Sequence, residues 1–156
     1  MTEYKIVKTK EKQEIERRLN KQFGIEEIKG TLFKNQDQVY IFQGEISKQE
    51  IKTLIEITSI QGIGILLLKY QDNQYYLTTE ATQILKDQIT KNIFELNEAQ
   101  AKDWLEGNDL YEKTNEKGIF VIKYKDYFLG CGKASENKIS NFLPKSRRLK
   151  SKSIIK

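Results

Sequence analysis

The final forty residues constrain the fold of this chain more tightly than any other part of it. Ile119 to Tyr124, Tyr127 to Ala134 and Ile139 to Leu143 are short runs rich in β-branched and aromatic residues, separated only by Lys125-Asp126 and by Ser135-Glu136-Asn137-Lys138. Connections of two and four residues cannot carry the crossover that parallel neighbours require, so the three runs read as an antiparallel meander. Pro144, the only proline, has no N–H to give to a ladder and marks the end of the meander.

Upstream the pattern alternates between helix and strand. Ile15, Leu19 and Phe23 recur every four residues and Gly24 follows them, which predicts a helix over about residues 10 to 23 with a left-handed glycine cap. Thr31 to Phe33 and Val39 to Phe42 flank the polar run 34 to 38 and predict a hairpin. Ser47 and Glu50 form a capping box ahead of a second helix with Ile51, Leu54, Ile55 and Thr58 on its apolar stripe. A buried strand over 63 to 70 then turns at Asp72-Asn73 into Tyr75-Tyr76-Leu77. Thr78 or Thr79 caps a short helix carrying Ala81, Ile84 and Leu85, and a strand over 93 to 96 follows. Asn97 with Gln100 caps a last helix through Trp104, a candidate core anchor, to Gly107. The fold class is α+β: a small mixed N-terminal α/β domain over residues 1–77 abutting a mostly β, barrel-like domain over 78–156 with one or two helices.

The net charge of +5 conceals a strong asymmetry. Residues 1–116 carry 16 Lys and Arg against 20 Asp and Glu, a net of −4, whereas residues 117–156 carry 11 against 2, a net of +9. A block of this kind is the electrostatic footprint of a polyanion site, because each cation that meets a phosphate releases condensed counterions. The reading requires the terminal cations to gather into one continuous patch.

Several classes of chemistry lose their side chains. There is no histidine, which removes the usual general base and the commonest metal ligand, and Cys131 is the only cysteine, which removes disulfides, zinc ribbons and CxxC redox pairs. Gly62-Ile63-Gly64 lacks the third glycine and the lysine of a phosphate loop. The acidic residues 11, 14, 16, 26 and 27 lie among cations and read as a solvated face. No apolar run reaches the roughly 18 residues of a membrane span, and the N-terminus does not read as a secretory signal, so the expectation is a cytoplasmic protein with no cofactor and no metal.

Leu77-Thr78-Thr79-Glu80-Ala81, Lys91-Asn92-Ile93, Leu105-Glu106-Gly107-Asn108-Asp109, Tyr124 to Lys133 and Asn141-Phe142-Leu143-Pro144-Lys145 together resemble the RsmF-like PUA region, most strongly after residue 77. That region follows the catalytic domain of many NOL/NOP/Sun-type RNA 5-methylcytosine methyltransferases and also occurs in stand-alone archaeal proteins of ribosome biogenesis. The resemblance implies a PUA-like barrel behind a small α/β domain, binding rRNA or tRNA. The Rossmann-type cofactor domain and paired catalytic cysteines of the methyltransferases have no counterpart here, so the expectation is a non-catalytic RNA-binding protein in the stand-alone form. The alternative is an adaptor that targets a separate methyltransferase or assembly factor through the acidic N-terminal stretch over residues 1–116.

Candidate RNA contacts follow. Lys145, Arg147, Arg148, Lys150 and Lys152 either grip phosphates or form a solvated tail, and Lys123, Lys125, Lys133 and Lys138 come from the meander beside them. Among Tyr75, Tyr76, Tyr124, Tyr127 and Phe128, Tyr127 at its turn is the best candidate for base stacking. The resemblance adds Thr79, Lys91 and Asn92. Gly130 and Gly132 either let an RNA backbone approach or serve a bulge that closes the barrel.

Overall fold

The computed structural model describes residues 4–44, 47–57, 64–114 and 116–149. It contains two sheets. In the first, β1 (Lys5–Ile6), β2 (Thr31–Asn35), β3 (Gln38–Phe42), β4 (Ile65–Gln71) and β5 (Gln74–Leu77) lie in sequence order, every neighbour antiparallel. In the second, β6 (Ile93–Glu95), β7 (Gly118–Tyr124), β8 (Tyr127–Ala134) and β9 (Ile139–Asn141) lie side by side, with β6 parallel to β7 and the rest antiparallel. The helices are α1 (Thr9–Phe23), α2 (Lys48–Ile57), α3 (Thr79–Ile84) and α4 (Glu98–Leu105). The parallel pairing of β6 follows from the chain path, since α4 supplies the crossover that parallel neighbours need.

The local signals act where the sequence puts them. Gly24 adopts φ 84° and its N–H closes on the Asn20 carbonyl, ending α1. Ser47 and Glu50 exchange side chain and backbone bonds of 3.1 and 3.2 Å, Thr78 accepts from the Ala81 N–H at 3.2 Å, and Asn97 and Gln100 form a full capping box. Thr58, expected on the stripe of α2, lies outside the described residues, as does Ile63 of the expected fourth strand.

Two of the differences from the expected boundaries have identifiable reasons. The predicted five-residue loop over 34–38 shrinks to a Gln36-Asp37 turn, because pairing of the backbone is indifferent to side-chain polarity and the ladder continues through Lys34↔Val39 and Asn35↔Gln38. The last strand stops at Asn141 instead of Leu143. Asn141 clamps the chain there: its N–H meets Asp109, its amide donates to the Trp104 and Asn108 carbonyls, and its side-chain oxygen accepts from Leu143.

The second sheet has an apolar interior on each face. Ile119, Val121 and Cys131 join Leu19, Phe23, Leu68, Leu77, Ala81 and Leu85 in one core, so the first sheet, α1, α3 and the second sheet share an interior across residue 77. Phe120, Ile122, Ala134 and Ile139 face the other way, against Trp104, Ala101 and Leu110. Trp104 is fully buried and donates its indole N–H to the Leu129 carbonyl at 3.1 Å. A third cluster, Phe33, Tyr40 and Ile51, seats α2 on the first sheet.

Both candidate glycines have structural duties. The register shift between Val121↔Cys131 and Lys123↔Phe128 leaves one residue of β7 opposite two of β8, and Gly130 with φ 88° occupies that bulge. A Cβ at Gly132 would stand 2.5 Å from the Trp104 ring and 2.8 Å from both Ile139 and the Ser140 carbonyl, so its bare backbone is what admits the tryptophan.

Candidate nucleic-acid interface

The β7–β8 hairpin carries the first group of sequence candidates. Lys125 occupies the turn with φ 53° and its Nζ lies 5.4 Å from the Tyr124 ring, while Lys123 lies 5.6 Å from that of Phe128. Tyr127 begins β8 and is 66 % exposed, one of the few large rings left to solvent. Lys125 and the open Tyr127 ring share the Tyr124 face of the hairpin tip and suit a phosphate with a base beside it, while Lys123 points to the opposite face with Phe128.

The second group lies at the far end of β8. Lys133 lies six steps along the strand from Tyr127, a span of about 20 Å. Lys133 pairs with Asp72 of the β4–β5 turn at 2.8 Å, and Lys138 stands 3.5 Å from Asp109. Past Pro144, residues Lys145–Arg147 form a single 3-10 turn. There Lys145 is exposed, Arg147 pairs with Glu80, and Arg148 folds back with its Nε donating to the Leu143 carbonyl at 2.9 Å. The Arg148 chain crosses Gly107 so closely that a Cβ there would meet its Cδ at 2.3 Å. Lys150 and Lys152 lie outside the described residues.

These positions correct one expectation, and a single block of terminal charge no longer supports a polyanion site, which is left to rest on smaller local groups. The cations of the final forty residues do not form a single continuous patch among the described residues: they are spread along the second sheet and its exit, and Lys133, Lys138 and Arg147 each face a carboxylate. The Lys133–Asp72 pair is solvent-exposed and the Arg147–Glu80 pair nearly so, each worth about 0–1 kcal/mol, so a phosphate can take the place of either carboxylate at little cost; Asp109 is half-buried and also accepts from the Asn141 N–H.

Folding does bring two distant candidates together. Thr79, at the start of α3, and Arg147 line a cleft of about 430 Å³ between β4–β5 and the segment after β9, with Lys69, Tyr76, Glu80 and Gly130. The Tyr76 and Phe142 rings meet at 4.9 Å and 52°, and Lys69 lies 6.0 Å from the Tyr76 centroid. Lys69 escaped the sequence reading because it sits in a run read as a buried strand. A bulge in the β3–β4 ladder turns the adjacent Leu67 and Leu68 both inward, leaving Lys69 half-buried at the margin.

Cys131 also borders this cleft, but burial pushes its thiol up to about 12, and the Leu77 N–H points at its sulfur from 3.4 Å. A thiol so held stays protonated and is a poor nucleophile. Among the described residues no cluster of three or more His, Cys, Asp or Glu could hold a metal ion, and no helix is long and apolar enough to cross a membrane.

Lys91 and Asn92 lie elsewhere, between α3 and β6. Asn92 turns the chain with φ 55° and its amide donates to the Gln22 carbonyl, and Lys91 reaches the Asn20 carbonyl at 3.4 Å. Both therefore stand against the C-terminal end of α1.

Residues 91–149 match the family described as the methyltransferase RsmF PUA domain. This part of the chain is similar to the RsmF-type PUA region. It takes in β6, α4, the β7–β8 hairpin, Lys133, Lys138 and the turn at Lys145–Arg147. The chain is 28% identical over 130 residues to the ribosomal RNA small subunit methyltransferase F of Psychromonas ingrahamii, an alignment covering 80% of this chain and 26% of that protein. It is 27% identical over 117 residues to the protein of the same name from Aeromonas salmonicida, covering 74% and 24%. With that of Photobacterium profundum it shares 32% over 96 residues, covering 61% and 20%. The chain thus spans about a quarter or less of the length of these relatives, and an alignment of 130 residues carries the likeness well ahead of the PUA region into the first sheet.

Proposed function

We propose that this protein binds structured RNA, and ribosomal RNA in the first instance, through its RsmF-type PUA region. The observation that carries the reading is the β7–β8 hairpin tip inside the matched region, where Lys125 and the exposed Tyr127 share the face of Tyr124 and Lys123 adds a cation on the opposite face, beside Phe128. The ribosomal target comes from the relatives, whose names make them modifiers of small-subunit rRNA. In this reading residues 78–156 form the PUA-like, barrel-type binding domain and residues 1–77 a supporting α/β domain, with Thr79, Lys91, Asn92, Lys133, Lys138, Lys145, Arg147 and Arg148 as further contacts. Most of these contacts go to phosphates, which fix the position of the protein on the RNA without reading its sequence.

The role is one of binding and positioning. Protonated, buried Cys131 offers no methyl-accepting or base-attacking thiolate, and a methyltransferase or assembly factor is the partner expected to act on the RNA so held. Filter binding of a small-subunit rRNA fragment tests the reading. Lys123→Glu with Lys125→Glu should weaken retention by more than tenfold, since two phosphate contacts become two repulsions; unchanged retention would overturn it.

A further inference from the structure

The first 116 residues are acidic in sum, yet one face of α1 is not. Arg17, Arg18 and Lys21 line a cleft of about 520 Å³ with Tyr70, Tyr75 and Asn92, and its lining contains no carboxylate. That volume lies within the range of pockets for small molecules, about 300–1,000 Å³. Glu14, one turn back on α1, accepts from both Arg17 and Arg18, and their guanidinium groups hold its carboxyl down at about 2. One carboxylate therefore serves two arginines, and the cleft keeps a surplus of positive charge.

The arrangement is ordered. Arg18 donates to the Tyr70 hydroxyl at 2.8 Å and lies 5.6 Å from the ring centroid, while Tyr70 and Tyr75 meet at 4.9 Å and 58°. A helix C-terminus ordinarily repels anions through its bare carbonyls. Here three of the last four carbonyls are covered: Gly24 takes Asn20, the Asn92 amide takes Gln22, and the backbone N–H groups of Thr90 and Lys91 take Phe23. Lys91 itself closes over the Asn20 carbonyl. Asn73 and Gln74 add amides at the opposite edge.

We propose that this cleft holds one unpaired nucleotide of the bound RNA, its phosphate on Arg17, Arg18 and Lys21 and its base against Tyr70. Cations beside an aromatic face in a concave site match a single strand, whose bases are free to leave the helix and stack; a duplex presents its phosphates on a convex surface and its bases edge-on. The cleft also abuts the PUA region, because Asn92 belongs to both and Lys133 pairs with Asp72 beside Asn73. RNA anchored on the hairpin and passing Lys133 would reach it. The inference rests on the RNA-binding reading and extends it to a surface from the other half of the chain.

The test uses the whole chain with two probes, a ten-nucleotide single-stranded RNA and the structured rRNA fragment. Arg17→Glu with Lys21→Glu, both exposed and remote from the core, should weaken the single strand by more than tenfold; replacing them by alanine should make its salt slope shallower by about 1.4, at about 0.7 per contact. Tyr70→Leu should cost about fivefold or more and abolish ultraviolet crosslinks to the peptide containing Tyr70. A melting temperature close to that of the parent protein shows that the variants remain folded. Equal affinity and equal slope in all three variants would overturn the inference, and so would equal competition by polyglutamate, which carries charge but no base. If the hairpin variant loses the structured fragment while these variants keep the single strand, the cleft fails and the RNA reading stands; if the parent protein retains neither RNA, both fall.

Discussion

Glu80→Gln should make RNA binding tighter. Glu80 holds the guanidinium of Arg147 at the cleft between β4–β5 and the exit from β9, with the two side chains 35 % and 56 % exposed. A pair this open is worth about 0–1 kcal/mol, and that is the cost a phosphate must meet to displace the carboxylate. Removing the charge cancels the cost and also a repulsion between carboxylate and incoming phosphate, so the gain reaches about 1 kcal/mol, roughly fivefold in Kd. Asp72→Asn should act the same way through Lys133, whose 2.8 Å partner it removes. The two pairs share no residue, so the double variant should approach the product of the single effects, up to about thirtyfold. Glu80 also sits in the first turn of α3 and its loss costs about 0.3–1 kcal/mol of helix stability, which a thermal melt would register separately. Filter binding of the rRNA fragment at fixed salt is the assay, with Arg147→Ala as the reciprocal. If Glu80→Gln leaves Kd unchanged or raises it, and Arg147→Ala is silent, then Arg147 is outside the interface and the reasoning about displaced carboxylates is wrong.

Two further predictions concern the scaffold. Gly132→Ala places a methyl group 2.5 Å from the Trp104 ring and should destabilise by about 1–3 kcal/mol in urea unfolding, as overpacked cores do; an unchanged midpoint would mean that the tryptophan is not seated on that glycine. Cys131 should resist alkylation at pH 8 until the chain unfolds, because its thiol stays protonated in the fold. Its folded pKa of about 12 lies above the ordinary value of 9, so the thiol's contribution to stability is complete below pH 9 and is lost as pH rises towards 12. Cys131→Ala should flatten the alkaline limb of the stability curve, which an unaltered limb would refute.

The sequence was most legible where a single residue type has a single physical use. Gly24, Ser47, Thr78 and Asn97 announce helix ends because few residues can take those positions, and the structure uses each of them so. The meander was legible because its turns are too short for any other path. What stayed hidden is whatever depends on meetings between distant segments. Lys133, Lys138 and Arg147 look like free cations in a string of letters, and only the fold sets Asp72, Asp109 and Glu80 beside them. Arg17, Arg18 and Lys21 lie in the stretch 1–116, whose summed charge is negative, and summed charge hides a local excess that the helix pitch collects on one face. The consecutive inward leucines of β4 likewise follow from a bulge that no alternation rule supplies.

The central claim is that cations of the RsmF-type region engage RNA phosphates, and the salt dependence of binding tests it most directly. With four to six phosphates neutralised at about 0.7–0.9 per contact, log affinity for the rRNA fragment should fall against log salt with a slope of about −3 to −5. A slope near zero across the same range, with retention intact, would contradict the account.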